Sequence, residues 1–188
     1  MSKRVRMWAQ ESGCEEDSIA TCQFRGLDIR NVDLGLLQLG KASPFFKLSK
    51  KHIYPSPVND SRWQVVYQSE RIERHLNPVW KEFSLNFEDL CNGNKHMTLK
   101  IEFYGWQKNG NHKKIGEVET TFGYLVSFKT TCGNADRTNA LLLRDSYDDK
   151  YGDNYCAGSL VVLEAMNQSG KWVGSSLHQH ADSFINEL

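Results

Sequence analysis

The chain has 188 residues, of which 39% are hydrophobic and 24% are charged, and its 23 basic residues balance its 23 acidic residues. This length and composition are typical of one globular domain with a sizeable core. The zero net charge predicts no general affinity for acidic polymers, so no nucleic-acid partner is expected and any anionic surface must be met by local patches. No apolar run approaches the roughly 18 residues that a membrane-spanning helix needs.

In chain order, short β-type segments alternate with turn residues, a pattern that predicts an all-β sandwich. Residues 97–104 form the clearest strand, because apolar residues recur at every second position. One helical turn is predicted at Glu88–Cys91. The eight predicted strands span residues 19–24, 44–50, 63–67, 83–87, 97–104, 115–122, 141–143 and 159–165. The residues expected to be mostly buried are Leu99, Ile101, Phe103, Val161 and Leu163.

The sequence predicts neither a catalytic group nor a zinc site. It contains no Gly-x-Ser-x-Gly, phosphate-loop or His-Glu-x-x-His motif, and no acid, base or nucleophile has an evident partner. The five cysteines are odd in number, widely spaced and without a Cys-x-x-Cys pair, which is typical of reduced thiols in a cytosolic protein. We therefore predict no enzyme and no catalytic residue.

Several stretches resemble the C2 domain family, and more narrowly the second C2 domain of copines. Residues 40–46 read Gly-Lys-Ala-Ser-Pro-Phe-Phe, residues 76–83 read Leu-Asn-Pro-Val-Trp-Lys-Glu-Phe, and residues 90–94 read Leu-Cys-Asn-Gly-Asn. Residues 101–105 and 112–121 are similar to the family's later strands. The resemblance implies an eight-stranded antiparallel Greek-key C2 β-sandwich.

Domain boundaries follow from the same resemblance. Residues 1–17 are expected to be a linker or strand preceding the domain, since residues 3–10 echo the closing strand at 160–170. Residues 18–170 are expected to form the C2 domain. Residues 171–188 are expected to link it to a following domain, which is von Willebrand A-like in copines.

The resemblance also implies where a calcium site would be, and the residues found there do not suit calcium. C2 domains that bind calcium use about five aspartates from two loops, and calcium prefers six to eight oxygens, several of them anionic. Only one of the five corresponding residues is a carboxylate, so no metal and no cofactor are expected here. These positions are Asp33, Ser43, Gly105, Gln107 and Lys113.

The loss of carboxylates leaves a basic loop that suits an anionic phospholipid membrane. The residues predicted to contact the membrane are Trp106, Lys108, Lys113 and Lys114. A second basic stretch is predicted to line the concave sheet face, where other C2 domains hold phosphoinositides. It comprises Lys47, Lys50, Lys51 and Arg62, with Arg71 and Arg74 nearby.

Two functions remain open from the sequence. The first is a calcium-insensitive membrane-docking module of a copine-like, calcium-dependent phospholipid-binding protein that is cytoplasmic and peripheral at the plasma membrane. In that case the calcium response would reside in another domain of the same chain. The alternative is a protein–protein interaction or adaptor domain without lipid contact.

Overall fold

The computed structural model describes residues 18–33, 40–51, 63–128, 140–145 and 156–167. The segments on either side of the expected domain, residues 1–17 and 171–188, and the echo at residues 3–10, lie outside this description. The elements in chain order are β1 (Ile19–Leu27), β2 (Pro44–Lys51), β3 (Trp63–Gln68), β4 (Phe83–Asn86), α1 (Phe87–Cys91), β5 (Thr98–Gly105), β6 (Lys113–Thr121), α2 (Phe122–Ser127), β7 (Leu141–Arg144) and β8 (Cys156–Asn167).

The eight strands pair antiparallel in one curled sheet with the order β3-β2-β5-β6-β7-β8-β1-β4. The two edge strands meet across the core, because the ring of Tyr67 on β3 stacks on the ring of Phe83 on β4 with centroids 3.9 Å apart. Curling brings the two halves of the sheet face to face, which is the sandwich that the sequence predicts. The all-β antiparallel fold is therefore confirmed.

An aromatic cluster fills the space between the two halves. The ring centroid of Phe46 lies 5.4 Å from that of Phe24, 5.1 Å from that of Trp80 and 6.0 Å from that of Phe103. Such edge-on and tilted pairs are the favoured arrangements of buried aromatic rings. The turn at Pro78 carries Trp80 into this cluster, and Trp80 is 1% exposed.

The alternation predicted for β5 is present, whereas that of β8 is interrupted. Leu99, Ile101 and Phe103 are completely buried. On β8 the register shifts where Gln23 faces Glu164 and Phe24 faces Val162, so Leu163 is the extra residue of a β-bulge. Leu163 is consequently only partly buried, while Val161 is buried as expected.

Both helices are short and capped by side chains. The Asn86 side chain accepts from the backbone N–H of Glu88 at the start of α1, and left-handed Asn92 ends this helix. The Thr121 hydroxyl accepts from the backbone N–H of Tyr124 at the start of α2. Helix α1 matches the predicted turn, whereas α2 replaces the end of a predicted strand. Within the described ranges, no helix is long and apolar enough to cross a membrane.

Candidate functional site

Three connections meet where β2 begins and β5 ends, and this region is termed the loop end. The backbone N–H of Ile29 donates to the carbonyl of Leu76 at 2.9 Å, and the backbone N–H of Trp106 donates to the carbonyl of Ser43 at 2.9 Å. The first bond joins the connection after β1 to the one after β3, and the second joins the connection between β5 and β6 to the residue before β2. The connections are residues 28–33 after β1, 69–77 after β3 and 106–112 between β5 and β6.

The connection after β3 follows the start of β2 backbone to backbone. The N–H of Ile72 donates to the carbonyl of Pro44 at 2.9 Å, and the N–H of His75 donates to the carbonyl of Ala42 at 3.1 Å. This pairing places Arg71 at the loop end, away from the sheet face on which the sequence analysis expected it.

Two of the five calcium-ligand positions are occupied by packing and hydrogen bonding within the chain. A Cβ atom built on Gly105 would lie 2.5 Å from Cγ2 of Val32, so the Val32 side chain fills the place of a side chain at position 105. The Ser43 hydroxyl accepts a hydrogen bond from the backbone N–H of Arg74 at 3.1 Å. A carboxylate at position 105 would displace Val32.

The other three positions hold two donors and the single carboxylate. The Nζ of Lys113 donates to the carbonyl oxygen of Val32 at 3.1 Å, next in the chain to Asp33. The Nε2 amide of Gln107 is buried and has no hydrogen-bond partner among the described residues. Calcium needs several anionic oxygens, and an ammonium a few ångströms away would repel it. These residues do not fit calcium, and no group of three His, Cys, Asp or Glu residues in the described parts of the chain could hold another metal.

Trp106 lies under an arginine rather than projecting alone. The guanidinium carbon of Arg71 is 4.1 Å from the centroid of the Trp106 ring, a cation–π geometry. The Nδ1 atom of His112 accepts from the backbone N–H of Gln107 at 3.0 Å, and the His112 ring packs edge-on against Phe45 at 4.9 Å. The 106–112 connection is thus internally fixed, and it presents the Arg71–Trp106 stack at the loop end.

Exposed basic side chains surround the loop end and are termed the basic rim. Four acidic residues lie in the same connections: Asp28, Asp33, Glu70 and Glu73. The Glu70 carboxylate accepts the backbone N–H of Lys81 at 2.7 Å, and Glu73 pairs with Arg71 at 2.9 Å. Arg30 in the first connection pairs with Asp145, so it is left out of the count. With the flanking residues Lys41 and Lys113 included, five basic side chains face these four acidic ones, and the loop end is mildly basic on a neutral chain. The basic rim consists of Lys41, Arg71, Arg74, Lys108 and Lys113.

Lys114 lies outside the basic rim, in an ion network on the outer face of β5 and β6. Its ammonium is 2.8 Å from the Glu102 carboxylate and 2.7 Å from the Glu117 carboxylate, and Lys100 is 3.4 Å from Glu102. Burial alone would raise the pKa of Glu102, but its hydrogen bond to Lys114 and the charges of Lys114 and Lys100 outweigh burial and lower it. Burial alone would lower the pKa of Lys114, and the two carboxylates raise it.

The lysines predicted to form a basic sheet face lie in different surroundings in the structure. Lys47 lies over the Tyr104 ring at 5.2 Å. The ammonium of Lys50 points to the end of α1, where it donates to the side-chain oxygen of Asn92 at 2.6 Å. Lys51 is exposed at the far end of β2, and Arg62 lies outside the described residues. With Glu102 and Glu117 among them, these lysines form no continuous basic surface.

Sequence reasoning omitted Lys41 from the site and assigned Arg71 and Arg74 to the sheet face. Their position is set by hydrogen bonds between the backbones of residues 69–77 and 42–46. Such bonds do not depend on side-chain type, so the sequence does not reveal them. The five calcium-ligand positions, in contrast, are assigned by motif resemblance alone. The structure brings Lys108, Lys113 and Trp106 together with Arg71 and separates Lys114 from them.

Comparison with known proteins identifies the architecture. The model of the C2 domain matches residues 19–134. A solved structure described as BON1-C2B superposes with a TM-score of 0.62 at 21% identity, over 81% of this chain and 92% of that chain. A C2 domain of plant Extended Synaptotagmin 1 superposes with a TM-score of 0.46 at 20% identity, over 78% of this chain and 94% of that chain. At 21% identity, the first of these likenesses supports the fold alone.

The family model covers more than half of the sequence and includes the strands that build the loop end. The eight-stranded antiparallel sheet and the three connections at one end agree with that match. The chain belongs to the C2 domain family.

Proposed function

We propose that this chain is a non-enzymatic C2 module that docks on anionic phospholipid membrane through its basic rim without calcium. C2 domains are generally non-catalytic membrane- or protein-binding modules, and the proposal refines that general role. One observation carries it: the Lys113 ammonium contacts the Val32 carbonyl where the family's calcium site would be, within a rim of exposed basic residues.

The rim supports weak, salt-sensitive binding. Each lysine or arginine near an anionic surface contributes about 1 kcal/mol, so five give at most about 5 kcal/mol before the opposing carboxylates are counted. Exposed charges are screened over roughly 8 Å at physiological ionic strength. Binding of this strength needs a second contact for stable anchoring, such as another domain of the same chain.

The predicted contact residues contribute unequally to this proposal. Lys108 and Lys113 belong to the rim, and Trp106 supports Arg71 from beneath. Lys114 is neutralised by Glu102 and Glu117 and adds little positive potential. The proposed contact is therefore electrostatic and spread over three connections.

The proposed setting follows from the sequence resemblance. A copine-like protein would carry this module on the cytoplasmic side of the plasma membrane, with the calcium response assigned to another domain of the same chain. Motifs at residues 76–83 and 90–94 support this setting.

Vesicle co-sedimentation tests the proposal. The parent is expected to sediment with phosphatidylserine vesicles at low salt equally with calcium and with chelator. The double variant Lys41→Glu/Lys108→Glu should bind at least about tenfold more weakly, since each reversal removes an attraction of about 1 kcal/mol and adds a repulsion. The matched control is Lys51→Glu/Lys95→Glu, which makes the same change in net charge at the opposite end of the sandwich and should bind like the parent.

Three results would overturn the proposal: no sedimentation of the parent, a requirement for calcium, or equal loss in both double variants. The first would favour the alternative, a protein-interaction domain. That alternative has its own support in three exposed apolar strand residues: Val65 at 53%, Leu142 at 62% and Met166 at 42%. Such residues suit a protein partner better than a phospholipid headgroup.

A further inference from the structure

The contact between Lys113 and Val32 joins two parts of the loop end that are far apart in the sequence. Lys113 begins β6, and Val32 lies 81 residues earlier, between β1 and β2. The contact is charge-assisted, because an ammonium donates to a carbonyl oxygen. Arg30 also reaches β6, where it donates to the carbonyl of Ile115 at 3.2 Å, but that bond lies further inside the strand. The Lys113 contact therefore joins the outer part of the 28–33 connection to the start of β6.

Asn31 holds the same connection from the other side. Its side-chain oxygen accepts the backbone N–H of Ala42 at 2.9 Å and that of Asp33 at 3.2 Å, and its side-chain nitrogen donates to the carbonyl of Gly40 at 2.7 Å. These three bonds turn the backbone at Val32 so that its carbonyl is available to Lys113. The backbone at 31–33 is thus held between an amide and a cation.

We propose that the Lys113 ammonium acts as a built-in cation that replaces calcium in joining the 28–33 connection to the start of β6. The two cations share one chemistry here, attraction to an oxygen ligand, but the ammonium is part of the chain and is present at every calcium concentration. Lys113 is then a positioning residue: it sets the conformation of the 31–33 segment in addition to adding charge to the rim. This inference deepens the proposed function, and its principal test uses no lipid.

Hydrogen exchange of the folded chain tests the positioning role. Lys113→Met keeps the aliphatic stem and removes the ammonium, so the Asp33 amide should exchange about fivefold faster, the effect of losing one hydrogen bond of ordinary strength. Lys113→Arg keeps a cationic donor and should restore slow exchange. Lys108→Met removes the same charge from the same loop end without touching Val32, and should leave the Asp33 amide unchanged. Amides of β5 serve as the reference for unchanged global stability.

The outcomes separate this inference from the proposed function. If Lys113→Met leaves Asp33 exchange at the parental rate, or if Lys108→Met accelerates it equally, the positioning role is overturned whatever the vesicles show. If only Lys113→Met accelerates exchange and the parent fails to bind phosphatidylserine vesicles, the positioning role stands and membrane docking falls. If both hold, Lys113→Met should weaken vesicle binding more than Lys108→Met does.

Discussion

Glu102 is the residue through which pH acts on the ion network of the outer sheet face. Its pKa is lowered in the folded chain, because Lys114 and Lys100 outweigh the opposing effect of burial. A carboxyl group of this kind stabilises the fold above its unfolded pKa of about 4.3 and loses that contribution as the pH falls through the folded value. The pKa of Lys114 is raised, so this residue stabilises the fold at pH values below the unfolded lysine pKa of about 10.4. It loses that contribution as the pH rises through its folded pKa.

Replacing Glu102 by Gln should therefore destabilise the chain in a pH-dependent way. At pH 7 we expect a loss of about 1 kcal/mol in the free energy of unfolding, because Lys114 keeps only Glu117 as a partner. The loss should shrink as the pH falls through the lowered pKa of Glu102, where the parental carboxylate also becomes protonated. Urea denaturation at pH 7 and pH 3 measures both values. Glu119→Gln, at an exposed position of β6, should change stability by less than about 0.5 kcal/mol at either pH.

At the scale of the elements, β7 depends on one glycine of its neighbour β6. A single register pair, Glu117 with Arg144, joins the two strands. A Cβ atom on Gly116 would lie 2.9 Å from the carbonyl oxygen of Arg144 and 2.9 Å from Cβ of Ala157. The close approach at Gly116 is thus what allows β6 to contact both β7 and β8.

Gly116→Ala should destabilise the sandwich by about 1–3 kcal/mol, the usual effect of one extra methyl group in a tight contact. Thermal unfolding measures this loss of stability directly, and the amides of β7 should show the largest increase in the rate of hydrogen exchange. Gly123→Ala is the matched control, because position 123 is in α2 and the nearest atom to a new Cβ is 3.4 Å away. This control should be neutral or slightly stabilising. Equal destabilisation by both variants would contradict the role of Gly116.

Strand positions were predictable where alternation and turn residues coincide, as at residues 97–104. Helix α2 was not predictable, because residues 121–127 have the β-branched and aromatic composition of a strand that continues from β6. The strand ends there because the Thr121 side chain caps the first turn of the helix. The bulge at Leu163 depends on the register against β1, which no single strand encodes. Similarly, the sequence places Lys50 on a strand and Lys114 in the loop before one, but it does not reveal their partners Asn92 and Glu102.

At the scale of the whole molecule, substitutions that restore carboxylates to the loop end should create a calcium site there. Gln107→Asp/Lys113→Asp would place carboxylates at three of the five calcium-ligand positions, counting Asp33, and would remove the ammonium. We expect millimolar calcium to raise the melting temperature of this variant by several degrees, since saturation of a new site stabilises by about 2.7 kcal/mol at 100 times Kd. The parent and the neutral variant Gln107→Asn/Lys113→Asn should not respond. A calcium-dependent rise in the parent would contradict this interpretation of the loop end.

A cation that belongs to the chain is never diluted away from its ligand. The effective local concentration of the Lys113 ammonium at the Val32 carbonyl is set by the fold and not by the surrounding solution. If Lys113 takes the place of calcium as proposed, we expect chelators and calcium transients to leave this contact unchanged, so that the contact forms whenever the chain folds. We expect the proposed docking surface to persist in EDTA up to the melting temperature and to be lost when the sandwich unfolds. Vesicle binding and circular dichroism should therefore report the same transition temperature.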